Sequence, residues 1–358
     1  MLAMGCREGL LLGVGSALLD VVFDVDDALL TRHRLPVDGA VRYDERLHGQ
    51  LWEELASREP VESLPGGTVL NTARVLQWLL REPRLSSFLG VVGDDATADV
   101  LVSRGVDSGV DMRCPRLSGR PTGTCFVLAQ GSRRTLVTNL AASGDLCAEH
   151  LVDNWDAVEK ARYIYTTGFL LPSSPACVEL LGRHACDRDK YFIFNLAAVF
   201  LMTNEQLWTA TQKAVGFADV VVGNSAEAAA FARAARWTDA DDARTLALDE
   251  IGRRMQRLPK SNGRRRRLVV LTNGPSPVVV VGTDGSVSHH PVGAVDTEDL
   301  IDGNGAGDAF VGGFLAQFIQ QRALSCCIAS ARYAAGVVLR RRGCSLPDNC
   351  DFCPERLA

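Results

Sequence analysis

The chain has 358 residues and a formal net charge of −5 at pH 7. That length suits one large domain, with or without a small satellite, and the slight acidity excludes a general nucleic-acid binder. Hydrophobic residues make up 47% and charged residues 23%, the balance of an ordinary globular protein, and no apolar run reaches membrane-spanning length.

Leu10-Leu11-Leu12-Gly13-Val14-Gly15 opens the pattern. It is too short for a signal peptide and ends in glycines, so it reads as a first buried strand. From about Asp20 to Leu64 the sequence turns polar and mixed. Gly66-Gly67 then opens a helix over 69–80. Further strands are expected over 87–92, 163–166, 191–195, 220–223 and 268–272. Helices are expected over 177–185, 204–214, 226–235 and 249–258. Buried runs separated by crossovers of this length imply an α/β fold, a mostly parallel central sheet flanked by helices. Residues 117–140 depart from the alternation and read as a hairpin, with Gln130-Gly131-Ser132 as its turn.

The expected division is a large α/β domain of 1–19, 66–116 and 143–358, with a small lid of strands from 20–65 and 117–142. A lid over the carboxyl edge of the sheet would cover the edge where such folds bind ligands, and would exclude water. Arg264-Arg265-Arg266-Arg267 reads as a solvated loop before a strand, with a targeting signal or nucleotide-facing patch as alternatives. Eleven cysteines without a framework suit reduced thiols in the cytosol, and Cys350-Asp351-Phe352-Cys353 lacks the second pair a zinc site needs. The expected location is cytoplasmic, with the nucleus open.

The most telling stretch is Ile301-Asp302-Gly303-Asn304-Gly305-Ala306-Gly307-Asp308. Three glycines in five residues specify a turn, and Phe310, Val311, Phe314, Leu315 and Phe318 then mark an apolar helical face. A helix start presents unpaired N–H groups that suit a phosphate. Asp308 beside it can act as a general base, with the amides of Gly305, Ala306 and Gly307 as an anion hole. A first-turn Asp can also serve only the helix dipole.

Other candidates carry similar pairs of readings. Gly66, Gly67 and Asn71 can approach a ligand or form a mere turn. Asp20 can hold a vicinal diol or cap a helix. Asn224 and Glu227 follow a strand end, where a carboxylate can hold hydrated Mg²⁺ or close a capping box. Arg134, on the hairpin, can clamp a triphosphate or be a surface charge. Phe169 can stack on a flat base or fill the core.

These residues resemble the carboxyl-terminal signature of the ribokinase-like (pfkB) carbohydrate and nucleoside kinases. The stretches Gly13-Val14-Gly15-Ser16-Ala17-Leu18-Leu19-Asp20, Gly66-Gly67-Thr68-Val69-Leu70-Asn71, Pro121-Thr122-Gly123-Thr124-Cys125, Asn139-Leu140-Ala141-Ala142, Gly223-Asn224-Ser225-Ala226-Glu227 and Arg340-Arg341-Arg342-Gly343-Cys344 extend the likeness through nearly the whole chain. Within the family, kinases acting on adenosine match best.

The resemblance implies transfer of the ATP γ-phosphate to the 5′-hydroxyl of adenosine, giving AMP and ADP, with Mg²⁺ and in a monomer. It implies Asp308 as base, Gly305, Ala306 and Gly307 as anion hole, and Arg134 on the transferring phosphate. Asp20, Gly66, Gly67 and Asn71 would hold the ribose. Cys125, Leu136, Leu140, Phe169 and Phe200 would surround the purine, with Ser16 and Asn304 also on the substrate side. Asn224, Glu227, Thr272, Gly274 and Arg332 would serve ATP, with Glu227 toward the metal. Three positions depart from the family pattern: Ser16 for asparagine, Gly303 for threonine and Arg332 for histidine. Ser16 keeps open a kinase for another nucleoside or a sugar, and Gly303 alone invites a nucleoside-binding regulator without catalysis.

Overall fold

The structure is a computed structural model that describes residues 8–37, 39–131, 133–238, 246–293, 296 and 298–354. The chain divides into two compact units, one of Met1–Glu8, Gly15–Leu146 and Val295–Ala358, the other of Gly9–Val14 and Cys147–Ala294.

In the second unit seven strands lie side by side. Their order is Leu11–Val14, Tyr163–Thr167, Tyr191–Asn195, Val220–Asn224, Leu268–Asn273, Ser276–Val281 and Val287–His290. The first five are parallel and the last two antiparallel. The parallel strands are almost wholly buried, which explains their unbroken Val, Ile, Phe and Leu runs. The helices Pro175–Asp187, Glu205–Phe217, Ser225–Ala234 and Leu248–Arg257 flank this mostly parallel sheet and agree with the helical spacing.

The arginine run is the solvated loop expected only in part: Arg264 and Arg266 are exposed, Arg265 is half-buried and Arg267 is buried. Arg267 is only 1% exposed. Its guanidinium donates to five carbonyls, those of Ala218, Met255, Leu258, Val215 and Pro259, at 2.6–3.2 Å. Most lie at or just beyond the ends of two helices, where carbonyls lack helical donors. A planar fork with five N–H groups satisfies them together. Arg265 lies over the Tyr191 ring, 4.0 Å from its centroid, and pairs with Asp189.

The first unit holds a five-stranded sheet in the order Ala40–Arg42, Arg133–Asn139, Gly123–Gln130, Leu18–Asp24, Glu62–Gly66. The expected hairpin is present, with Gln130 opposite Arg133, and Ser132 lies outside the described residues. The polar stretch from Asp20 supplies strands to this sheet and also carries two helices. Asp20 sits inside the strand Leu18–Asp24, and the helices Asp27–Arg32 and Glu45–Ala56 follow. Phe23, Leu29, Leu30, Leu51, Leu55, Phe126 and Leu128 form a core between one sheet face and these helices. Trp52 stacks on Phe126 with centroids 3.9 Å apart.

Period-two alternation sends the other residues to the opposite face. Asp20 is paired with Cys125 and Cys125 with Thr138, while Val22 is paired with Val127 and Val127 with Leu136. Paired positions share a face. Asp20, Cys125, Arg134 and Leu136 therefore lie on one side of this sheet.

Four further helices belong to the unit, Thr68–Leu80, Ala96–Asp107, Ala306–Phe318 and Leu324–Leu339, and the first, third and fourth of them pack together. Gly312 and Gly313 let them approach closely. A Cβ on Gly312 would lie 2.7 Å from the Thr72 carbonyl oxygen, and one on Gly313 2.5 Å from that of Ser330. This packing brings the start of the glycine helix against Asn71.

Candidate active site

The helix Ala306–Phe318 begins at Gly305, whose φ of 79° puts it in the left-handed region that glycine tolerates. A Cβ there would also meet the Cys344 Cβ at 2.8 Å, so the turn is pressed against the chain after Gly343. Asp302 holds the turn from below. This buried carboxylate accepts from the backbone N–H of Asn304 at 2.9 Å and of Gly343 at 2.8 Å. Gly305 has no side chain to bond the first helical turn, and the Ala306 N–H makes only a long bond, 3.4 Å, to the Gly303 carbonyl, so the turn can offer amides to another acceptor.

Asp308 stands in that first turn. Its Oδ2 accepts from Asn71 Nδ2 at 3.0 Å, and the Thr68 hydroxyl also bonds the carboxyl. The Thr72 hydroxyl donates to the Asp308 backbone carbonyl at 3.2 Å. Burial of the carboxyl raises its pKa to about 7, against the bonds from Asn71 and Thr68. The residue as a whole is only half-buried, so an incoming hydroxyl can still reach it. A carboxyl poised near neutrality is suited to proton transfer.

Asp20 joins the same group. Burial first, then the charge of Asp308, push its pKa up to about 7, while Arg74 pulls it down. Gly66 abuts the Asp20 carboxyl so closely that any Cβ would overlap it. Gly67, with φ of 88°, caps the helix that carries Asn71, and any Cβ there would overlap the Ser16 carbonyl oxygen. Arg134 reaches the turn itself: its Nε lies 3.2 Å from Asp302 Oδ2, and Nη2 donates to the Ile301 carbonyl at 3.4 Å. Thr138 donates to the Cys125 sulfur at 3.3 Å, and Leu136 packs against the cluster of Val22, Cys125, Val127 and Ala129. Leu140 precedes the short helical turn Ala141–Asp145. Arg332 lies on the helix Leu324–Leu339, and its Nε is buried with no hydrogen-bond partner among the described residues.

The remaining candidates belong to the second unit. Phe169 and Phe200 are exposed, not core, with ring centroids 6.5 Å apart. Asn224 and Glu227 form a capping box: Asn224 donates N to Glu227 Oε2 at 3.0 Å and Nδ2 to Oε1 at 2.7 Å, while its own Oδ1 accepts from Glu227 N at 2.9 Å. Burial raises the Glu227 pKa despite these bonds. Thr272 donates to the Gly223 carbonyl at 3.4 Å, and Gly274 turns with φ of 56°.

Four residues of this constellation had no assigned role in the sequence, Thr68, Thr72, Arg74 and Asp302. Asp302 was visible as part of the glycine signature. Arg74 gave no signal, because a helical arginine reads as a surface charge until its surroundings are known.

A half-buried carboxyl beside a helix start that no side chain caps, faced by a sheet carrying an arginine, is the constellation of a phosphotransferase with an alcohol acceptor. The chain belongs to the pfkB family carbohydrate kinases, whose family model matches residues 40–349. It is 36% identical to adenosine kinase 2 of Arabidopsis thaliana over 347 residues, 96% of this chain and 98% of that protein. The crystal structure of Anopheles gambiae adenosine kinase in complex with P1,P4-di(adenosine-5) tetraphosphate is 37% identical, with a TM-score of 0.86 over 94% of this chain and 97% of that one. Adenosine kinase from Schistosoma mansoni in complex with 2-fluoroadenosine is 27% identical, with a TM-score of 0.87 over 95% and 98%.

Proposed function

We propose that this chain transfers the γ-phosphoryl group of ATP to the 5′-hydroxyl of adenosine, giving AMP and ADP. It is an ATP-dependent nucleoside kinase. The observation that carries the reading is the Asp308 carboxyl, held by Asn71 at 3.0 Å beside a turn whose N-cap is glycine.

Asp308 accepts the proton of the attacking hydroxyl as the phosphoryl group is transferred. The amides of Gly305, Ala306 and Gly307 meet the charge on that group. Arg134 leaves Asp302 for the transferring phosphate, carried by the five-stranded sheet acting as a lid made from 20–65 and 117–142. Asp20, Gly66, Gly67 and Asn71 hold the ribose, with Asn304 beside the reacting hydroxyl. The apolar character of Cys125, Leu136 and Leu140 favours a base over a bare sugar, which would want polar partners. Phe169 and Phe200 offer exposed rings to the purine, and Ser16 adjusts its selection.

Asn224, Glu227, Thr272, Gly274 and Arg332 serve ATP. No cluster of three or more His, Cys, Asp or Glu suited to a metal occurs among the described residues. Mg²⁺ needs no such cluster, because it keeps several waters and uses one or two carboxylates with the substrate phosphates. Glu227 fits this: it is a buried carboxylate with no ion-pair partner among the described residues. When bound, Mg²⁺ would neutralise phosphate charge. No helix among the described residues is long and apolar enough to cross a membrane, and every described cysteine is a free thiol, which supports a reducing cytosol. The expected assembly is a monomer, checked by light scattering at low protein concentration.

The test is ADP release from Mg-ATP with adenosine, inosine, guanosine and ribose in parallel, for the wild type and Asp308→Asn. Adenosine-dependent release that falls at least about a hundredfold in the variant supports the reading. Preference for another acceptor moves the substrate and keeps the mechanism. Tight adenosine binding with no turnover overturns it and leaves a regulator.

A further inference from the structure

Arg74 is buried, 7% exposed, on the same helix as Asn71. Its Nη1 donates to the Pro65 carbonyl at 3.2 Å, to Asn71 Oδ1 at 3.4 Å and to the Cys344 carbonyl at 3.2 Å. Its Nε donates to the Ser108 hydroxyl at 3.2 Å. Each of the three Nη1 acceptors leads to a different part of the site. Pro65 immediately precedes Gly66-Gly67. Cys344 packs where a Cβ on Gly305 would stand. Asn71 bonds Asp308.

The bond to Asn71 bears on the chemistry. An asparagine amide can present either end to a neighbour. With Arg74 donating to Oδ1, Nδ2 is the end left for Asp308. Turned over, the amide would set its oxygen against the carboxylate and lose both bonds. The spacing of three residues places Arg74 and Asn71 on one helix face, so this relay is built into the helix.

We infer that Arg74 is a positioning residue for phosphoryl transfer, orienting the Asn71 amide and through it the Asp308 carboxylate, while tying the glycine pair to the anion-binding turn. The inference rests on the kinase reading. The charged and titratable groups that act on it are the Cys344 thiol, pushed up to about 12 and neutral, Asp20 and Arg104, while Asp308 and Asp302 act in turn on Asp20.

The test uses Arg74→Lys and Arg74→Met alone and combined with Asn71→Ala, on the full chain, with whichever acceptor the wild type turns over. Arg74→Lys keeps the charge but not the fork, and should lower kcat by roughly ten- to a hundredfold with KM for ATP unchanged. In the Asn71→Ala background the same change should cost clearly less than in the wild type, since the relay is already broken and only the ties to Pro65 and Cys344 remain. A ¹³C-aspartate NMR titration needs no turnover and separates failure of this inference from failure of the kinase reading. The Asp308 resonance, identified by its loss in Asp308→Asn, should titrate at higher pH in both Arg74 variants, and the Asp20 resonance at higher pH only in Arg74→Met. Full additivity with Asn71→Ala, or an Asp308 titration unchanged in both variants, overturns the inference whether or not the protein turns over adenosine.

Discussion

Two helices of this chain start with an acid at the same place and use it in opposite ways. Glu227 and Asp308 are each the third residue of their helix, after the caps Asn224 and Gly305. Glu227 turns back on its own cap and accepts two bonds from Asn224. Asp308 has no capping side chain to answer it and turns instead to Asn71, 237 residues away in the chain. Glu227 therefore closes its helix end, whereas Asp308 leaves its end open to an anion. The cap residue, not the acid, decides which helix start is structural by itself.

The largest effect should come from Asp308→Asn. The amide keeps the size of the side chain but cannot take a proton, so steady-state turnover should fall by about two to four decades. A smaller loss would mean that the carboxylate is as structural as a capping one. Gly305→Ala comes next. Its positive φ and the nearby Cys344 Cβ disfavour a side chain, so stability should fall by about 1–2 kcal/mol and kcat by about a hundredfold as the turn shifts. Denaturant melts and single-turnover assays separate the two losses.

Glu227→Gln keeps the backbone bond of the capping box, its one oxygen accepting from Asn224 N, and gives up the second bond, from Asn224 Nδ2. Helix stability should hold while the Mg²⁺ concentration for half-maximal rate rises by about tenfold. An unchanged Mg²⁺ titration would leave Glu227 as a cap and nothing more.

The smallest effect is on stability and has a definite sign. Folding raises the Asp308 pKa from 3.8 to about 7, so the folded chain holds this proton more tightly than the unfolded one. The stabilisation from that proton is full below pH 3.8 and lost as pH rises through 7. Asp308→Asn should thus melt about 2 °C above the wild type at pH 8, and the gain should vanish toward pH 4. Over the same interval kcat/KM of the wild type should climb from pH 6 to pH 8, since the base works deprotonated.

Much of this molecule was legible without coordinates. Alternating apolar runs and helical spacings located the parallel strands and their flanking helices, because periodicity is a local property of the chain. The glycine turn, Asp308 and the hairpin were equally plain, since turn geometry restricts which residues are tolerated. The strand Leu18–Asp24 was not. Buried on both faces, it shows no alternation, and Asp20 in its middle made it read as polar. The arginine run misled in the same way, because nothing local to Arg267 announces the carbonyls of Val215 and Ala218, 52 and 49 residues away.

What the sequence by itself determined is the inventory: a carboxylate at a glycine-started helix, a glycine pair before an asparagine, and an arginine on a hairpin. Only the tertiary structure decided which of these meet. Close packing at Gly312 and Gly313 sets Asn71 on Asp308, and strand register puts Asp20, Cys125, Leu136 and Arg134 on one face. The physical reason is that propensity and periodicity act over a few residues, whereas burial and hydrogen bonding are settled by partners hundreds of residues apart.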